Sequence, residues 1–140
     1  MTVIIESTDA SNNQATTYSI SVGEYFYGYL SAGNADWIAV TLEAGRTYSF
    51  GLTGIGSVDD SLTDPLLRLR DSNGNQLASD DDSGPGTFSN LTFTASTSGT
   101  YYLDVQAYGS ADPGNYGLSV ILGNIPSYDV SMGAGTLMRY

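Results

Sequence analysis

The stretches Gly45-Arg46-Thr47-Tyr48, Gly99-Thr100-Tyr101 and Gly114-Asn115-Tyr116 each place a glycine shortly before a tyrosine. Each tyrosine opens an alternating run, such as Tyr101-Tyr102-Leu103-Asp104-Val105. Glycine tolerates the positive φ that ends a turn, and alternating aromatic and β-branched residues suit a half-buried strand. These three stretches therefore predict β-strands that begin directly after turns.

The rest of the chain extends this pattern. No stretch has apolar residues at helical spacing over three turns, and Gly, Ser, Thr and Asn occur throughout. Strands are predicted at 16–22, 25–30, 36–42, 47–52, 65–70, 76–79, 90–94, 100–107 and 115–122. Short strands separated by turns indicate an all-β fold, namely an antiparallel β-sandwich or jelly roll of about eight to nine strands.

We expect the sandwich to span residues 15–123, after an acidic N-terminal segment (1–14) and before a C-terminal linker or tail (124–140). Alternation within the strands predicts which side chains face the core. They are Ile20, Val22, Phe26, Leu30, Trp37 or Ile38, Val40, Leu42, Tyr48, Phe50, Leu52, Leu67, Leu69, Leu91, Phe93, Leu103, Val105, Leu118 and Val120.

Composition narrows the function. The 140 residues include 15 acidic and four basic ones, for a net charge of −11, which argues against nucleic acid and anionic membranes as partners. Without histidine or cysteine there is no serine triad, imidazole base or thiol nucleophile, so we expect no enzyme activity. The N-terminus has no basic region before its short apolar run, so we expect no cleavable signal peptide.

The predicted hairpin at 64–82 gathers acidic residues. A three-residue loop, Ser72-Asn73-Gly74, sets Leu69 opposite Leu77, Leu67 opposite Ser79 and Asp64 opposite Asp82. Carboxylates so close repel one another, whereas calcium takes oxygen ligands and reverses the sign of that interaction. The first candidate calcium site is Asp64, Asp80, Asp81 and Asp82, with Asp59-Asp60 just before it. The alternative is a solvated acidic loop.

A second acidic group is more scattered. Glu6 and Asp9 precede the first predicted strand, while Asn34 and Asp36 lie in the turn before Trp37. The alternative for Asp36 is a side chain that caps its own turn through backbone N–H groups.

A set of short motifs occurs in a fixed order along the chain. They are Val22-Gly23, Gly28-Tyr29-Leu30, Asp36-Trp37-Ile38-Ala39-Val40, the run from Leu42 to Phe50, Asp64-Pro65-Leu66-Leu67-Arg68-Leu69, Gly74, Asp80-Asp81, Ser98-Gly99-Thr100-Tyr101-Tyr102-Leu103 and Gly114-Asn115-Tyr116. This ordered set resembles a known family, the bacterial pre-peptidase C-terminal domain, from about residue 10 to residue 122. The resemblance implies a non-catalytic β-sandwich appended to secreted peptidases and other exported proteins, often removed during maturation. The chain resembles in particular the copies carried by serralysin-like metalloproteases, which are exported by a C-terminal signal.

The same family is similar to the collagen-binding modules of bacterial collagenases. That resemblance implies that Glu6, Asp9, Asn34 and Asp36 hold calcium, although Ser7-Thr8-Asp9 departs from the Pro-Asn-Asn-like run of those modules.

Two functions remain open at this point. The first is a secreted, calcium-binding accessory module that attaches an exported peptidase to a protein or polysaccharide polymer, or aids its folding. For polymer contact the candidates are Tyr25, Tyr27 and Tyr29, which alternate on one strand face, with ordinary packing as the alternative. The second is a purely structural or cleavable pro-region domain without a ligand, and a small hydrolase is more remote.

Overall fold

The computed structural model describes residues 2–56, 60–81, 88–108 and 112–123. Within these ranges no helix is long and apolar enough to span a membrane. The described residues form ten strands: β1 (Val3–Ile5), β2 (Ser19–Ile20), β3 (Tyr25–Leu30), β4 (Asp36–Leu42), β5 (Thr47–Gly54), β6 (Pro65–Arg70), β7 (Gln76–Asp80), β8 (Ser89–Thr94), β9 (Gly99–Ala107) and β10 (Gly114–Leu122).

The strands form two five-stranded sheets, which confirms the predicted sandwich. The first sheet has the order β1-β3-β10-β5-β8, and the second has the order β2-β4-β9-β6-β7. Most neighbours are antiparallel, but β1 pairs with β3 and β2 pairs with β4 in parallel, so both sheets are mixed. The short strand β1 was not predicted, because three residues are too few to show an alternating pattern.

The core lies between the two sheets and matches the alternation of the sequence closely. Of the predicted inward positions, Val22 is 47% exposed and Phe93 is only partly buried, while the others are buried. Val22 differs because β2 ends at Ile20 and the chain turns before reaching it. Three large side chains in this core were not predicted, namely Leu62, Tyr101 and Tyr116.

The register of the β6–β7 hairpin differs from the prediction. The loop Ser72-Asn73-Gly74 is correct, since Gly74 has a φ of +88° and Asp71 N–H donates to the carbonyl of Asn75. Beyond it, however, Leu69 pairs with Ala78 and Leu67 with Asp80, because the register shifts between Leu69 and Arg70. One extra residue in β7 exchanges the faces of the side chains that follow. Leu77 is therefore 43% exposed instead of facing Leu69.

Candidate metal centre

Asp36 is a carboxylic acid inside the sandwich. It is the first residue of β4, lies on the same face as Ile38 and Val40, and is fully buried. Its Oδ2 accepts a hydrogen bond of 2.8 Å from the hydroxyl of Tyr116, which reaches across from the other sheet. Its Oδ1 is buried and has no hydrogen-bond partner among the described residues. Asp36 thus does not cap its own turn, and the alternative given for it above is wrong.

A glycine makes the bond between Tyr116 and Asp36 possible. Gly28 lies in β3 between the inward-facing Phe26 and Leu30, and a Cβ at this position would be 2.5 Å from the Tyr116 hydroxyl oxygen. The tyrosine therefore occupies the volume that any other residue at 28 would fill. Sequence reasoning missed Tyr116, although a glycine at an inward position of a strand signals the close approach of a neighbour.

Glu6 approaches Asp36 from the N-terminal segment. It directly follows β1, and its own N–H donates to the carbonyl of Tyr27 on β3. The carboxylate is fixed at both oxygens, because Oε2 accepts from Ala10 N–H at 2.7 Å and Oε1 accepts from Tyr29 N–H at 2.8 Å. Parallel pairing of β1 with β3 thus decides where this carboxylate lies.

Asp9 and Asn34 complete the group. The Nδ2 amide of Asn34 donates to Asp9 Oδ2 at 2.9 Å, so Asn34 positions Asp9 and directs its amide nitrogen, not its oxygen, toward it. Carboxylate oxygens of Glu6, Asp9 and Asp36 all lie within 4.8 Å of one another. The four residues that the resemblance implicated are therefore brought together in space.

The electrostatics of this cluster are unfavourable for three anions. Burial raises the pKa of Asp36 to about 8, and the negative charges of Glu6 and Asp9 add to that rise, while the hydrogen bond from Tyr116 opposes it. Burial and the nearby Asp36 carboxylate also raise the pKa of Tyr116 far above its usual range, so Tyr116 acts as a neutral donor. A proton or a cation is needed to keep the Asp36 carboxyl in this position.

The donor set fits a hard cation. The cluster supplies only oxygen, and one of these oxygens, Asp36 Oδ1, is buried without a hydrogen bond from the described residues. A concavity of about 200 Å³ opens beside Glu6 and Asp9, and Tyr29 and Ser31 are also in its lining, whereas Asp36 is not. Calcium takes six to eight oxygens from carboxylates, carbonyls and water, so water in this concavity could complete its shell.

The predicted hairpin cluster is only partly within the described chain. Asp82 and Asp59 lie outside the described residues. The register from which the pairing of Asp64 with Asp82 was predicted is wrong, because Leu67 pairs with Asp80 and not with Ser79. Asp80 Oδ2 accepts from Asn90 N–H at 2.8 Å, and the Ser89 hydroxyl donates to the carbonyls of Pro65 and Asp81. Within the described ranges, the carboxylate oxygens of Asp64, Asp80 and Asp81 do not all lie within 4.8 Å of one another, as those of Glu6, Asp9 and Asp36 do.

The three candidate tyrosines lie on the outer face of the first sheet. Tyr25 and Tyr29 are 38% and 50% exposed, whereas Tyr27 is partly buried and its ring lies next to Gly117. Tyr25 and Tyr27 are neighbours, with ring centroids 6.4 Å apart. A groove lined by these two side chains, Ile55 and the glycines Gly51 and Gly117 runs across the face.

Comparison with known proteins agrees with this fold. The solved structure of the pre-peptidase C-terminal domain of collagenase from Bacillus anthracis is similar to the chain with a TM-score of 0.56 and 21% identity, covering 74% of this chain and 92% of that one. Aeromonas hydrophila PliG, a periplasmic lysozyme inhibitor of g-type lysozyme, gives a TM-score of 0.48 and 15% identity, covering 86% and 99%. No curated protein matches the chain.

A family model matches the sequence directly. The model of the bacterial pre-peptidase C-terminal domain covers residues 34–107, just over half of the 140 residues. The match includes Asn34 and Asp36, whereas Glu6, Asp9 and Tyr116 lie outside it. The resemblance predicted from the motifs is confirmed, and the chain belongs to the bacterial pre-peptidase C-terminal domain family.

Proposed function

We propose that this chain is a calcium-stabilised accessory module of an exported bacterial protein, with calcium bound by Glu6, Asp9 and Asp36. One observation carries the proposal: Asp36 Oδ1 is buried without a hydrogen bond from the described residues and belongs to a group of three carboxylates whose oxygens lie within 4.8 Å of one another. Asp64 Oδ1 at the hairpin is also buried without such a bond, but among the described residues Asp64 belongs to no such group. A buried carboxylate without a partner is costly unless a cation or a proton neutralises it.

Calcium suits the cluster better than other common cations. Zinc sites take most of their ligands from cysteine and histidine, with carboxylates as additional ligands, and the sequence contains neither cysteine nor histidine. Magnesium demands a nearly octahedral shell and keeps most of its water, whereas calcium accepts several carboxylates in irregular geometry. Asn34 has an indirect role in the proposed site, because its amide nitrogen holds Asp9 in place.

The proposed ion connects three parts of the fold. Glu6 and Asp9 belong to the N-terminal segment, Asp36 begins β4 in the second sheet, and Tyr116 ties Asp36 to β10 in the first sheet. An ion held by these residues would fasten the N-terminal segment to both sheets. Such a link stabilises the native state by mass action, since the unfolded chain has no such site.

The test is calcium titration of the EDTA-treated protein by calorimetry and thermal unfolding. Calcium at about a hundredfold above its dissociation constant should raise the melting temperature by roughly 8 °C, and magnesium should do much less. Asp36→Asn should abolish both the heat of binding and the shift. Asp64→Asn combined with Asp82→Asn is the matched control at the hairpin and should retain both. An unchanged midpoint in EDTA would reject calcium, and loss of binding in the control alone would move the site to the hairpin.

The accessory role requires a partner domain, and we propose an attached peptidase or another exported domain. The chain offers no histidine or cysteine for catalysis. Turnover of protein and glycan substrates that disappears on changing one aspartate would contradict the non-catalytic role. Export is part of the same proposal and is tested by looking for the protein in the culture medium.

Attachment to an insoluble polymer is a second candidate role, favoured by the exposed Tyr25 and Tyr29 on the outer face of β3. The protein should be retained by one of collagen, chitin or cellulose, and Tyr25→Ala with Tyr29→Ala should release it. A purely structural or cleavable pro-region domain should bind none of them, so failure of every pull-down favours that alternative.

A further inference from the structure

A concavity of about 420 Å³ lies at the edge of the sandwich, away from the carboxylate cluster and the tyrosine face. Its walls come from the β6–β7 loop, from β7, from the end of β8 and from the turn between β8 and β9. The strands β7 and β8 are edge strands of different sheets, so the gap between the two sheets opens to solvent here. Its volume falls in the range of ordinary ligand pockets.

An exposed leucine forms one wall. Leu77 lies at the irregularity in β7, where the register of the hairpin shifts, and it is 43% exposed. A bulge commonly re-aims a side chain next to a functional site. Phe93 is also in the lining; it is partly buried and packs edge-on against Tyr101, with ring centroids 6.0 Å apart. The lining therefore contains two apolar side chains that are not fully buried.

Hydroxyl groups supply most of the remaining lining. The hydroxyls of Ser72, Ser96 and Thr100 form no hydrogen bond with the described residues, and all three residues are exposed. Ser98 accepts from Ala44 N–H through its hydroxyl oxygen, so its own hydrogen is available to donate. A hydroxyl both donates and accepts, and a group of them matches a ligand that is itself rich in hydroxyls.

The charge at this concavity argues against an anionic ligand. Among the described residues that line it, Asp71 carries the only charge. Hydrogen bonds from the backbone N–H groups of Asn75 and Asn73 hold the pKa of Asp71 below its usual range, so it is ionised at neutral pH. The whole chain adds a net charge of −11. Sulfated or uronic-acid saccharides would be repelled.

We propose that this concavity binds a neutral oligosaccharide segment, with Leu77 and Phe93 contacting the apolar face of a sugar ring and the surrounding hydroxyls bonding its hydroxyl groups. The occupant follows from three features together: apolar surfaces, unpaired neutral hydroxyls and an excess of negative charge. The proposal does not depend on calcium at Glu6, Asp9 and Asp36, and it concerns a surface distinct from Tyr25, Tyr27 and Tyr29.

The test is titration of the full chain, with calcium present, by neutral gluco-, xylo- and chito-oligosaccharides at concentrations up to about 10 mM, followed by amide chemical shifts. At least one of them should shift amides in residues 71–77 and 93–101. Leu77→Ser and, separately, Ser96→Ala with Thr100→Ala should each weaken binding about threefold to tenfold. Val22→Ser is the matched control, since Val22 is similarly exposed at 47% and does not line the concavity, and it should bind like the parent.

Four outcomes would overturn the proposal, three with neutral oligosaccharides and one with an anionic one. One is the absence of shifts with every neutral oligosaccharide, and another is shifts confined to the tyrosine face. The third is binding that Leu77→Ser and Val22→Ser weaken equally. An anionic oligosaccharide, such as a polygalacturonate fragment, should shift these amides less than a neutral one of equal length, and the reverse order would also contradict the proposal.

Discussion

Gly28 and Tyr116 depend on each other sterically although they lie far apart in the sequence. The side-chain volume absent at position 28 is filled by the Tyr116 ring and hydroxyl. That hydroxyl donates the one hydrogen bond that the Asp36 carboxyl receives from the described residues. A residue without chemistry of its own thus determines how the buried carboxyl is held. The glycine is needed for space and not for backbone conformation, because its φ is not positive.

Replacing Gly28 by alanine should disturb the carboxylate cluster. The new Cβ would be 2.5 Å from the Tyr116 hydroxyl and 3.0 Å from Glu6 Oε1, so both groups must move. We expect Gly28→Ala to lower the free energy of unfolding by about 1–3 kcal/mol and to weaken calcium binding. Gly117→Ala is the control in the same sheet, since its Cβ meets Ile55 at 3.3 Å, and it should cost less than half as much. Equal losses in urea unfolding would contradict this account.

At the scale of elements, the connection from β5 in the first sheet to β6 in the second contains a core residue, Leu62. This residue lies between β5 and β6, is fully buried, and its N–H donates to the carbonyl of Asn115 on β10. The backbone of Leu62 lies so close to Gly54 and Gly114 that a Cβ at either position would overlap it. The two glycines let an irregular segment pack tightly over paired strands, which no strand pattern in the sequence indicates.

Leu62→Ala should therefore behave as a core truncation, although the residue lies in a connection. The cavity it leaves between the sheets should lower the free energy of unfolding by about 2–5 kcal/mol. Leu66→Ala removes the same atoms from a half-exposed position of β6 and should cost clearly less. Chemical denaturation of the two variants measures the difference, and similar midpoints would show that Leu62 does not help hold the sheets together.

The elements also show how far sequence reasoning reaches. Strands such as β3, β4 and β6 begin and end where alternation predicts, because each has one face in the core. The hairpin register could not be derived, since the extra residue in β7 follows a correctly predicted loop and changes neither composition nor alternation visibly. The residues of the carboxylate cluster could be proposed from the resemblance to the collagen-binding modules. The burial of Asp36 and its bond to Tyr116 depend on packing between sheets, which short-range pattern does not encode.

At the scale of the whole molecule, the acidic cluster couples stability to both pH and calcium. In metal-free protein the folded state keeps a proton on Asp36 up to about pH 8, whereas an unfolded chain releases it near its ordinary pKa of 3.8. The folded state therefore binds more protons between these values, and stability is fully present below the lower pKa and lost as pH rises toward the higher one. The lowered pKa of Asp71 has the opposite effect on stability, because the folded state then binds fewer protons than the unfolded chain. This effect is confined to more acidic solution.

The metal-free chain should accordingly become less stable between about pH 5 and about pH 8, and calcium should reverse that trend, because the ion binds the deprotonated carboxylate. The measurement is the urea midpoint at several pH values, in EDTA and in excess calcium. Asp36→Asn is the control, since it removes the titrating group, and its midpoint in EDTA should be much less dependent on pH. A parent protein whose midpoint in EDTA rises over this range would show that Asp36 is ionised in the folded state. If the increase in the urea midpoint caused by calcium became smaller as pH rises, the ion would not be bound by the Asp36 carboxylate.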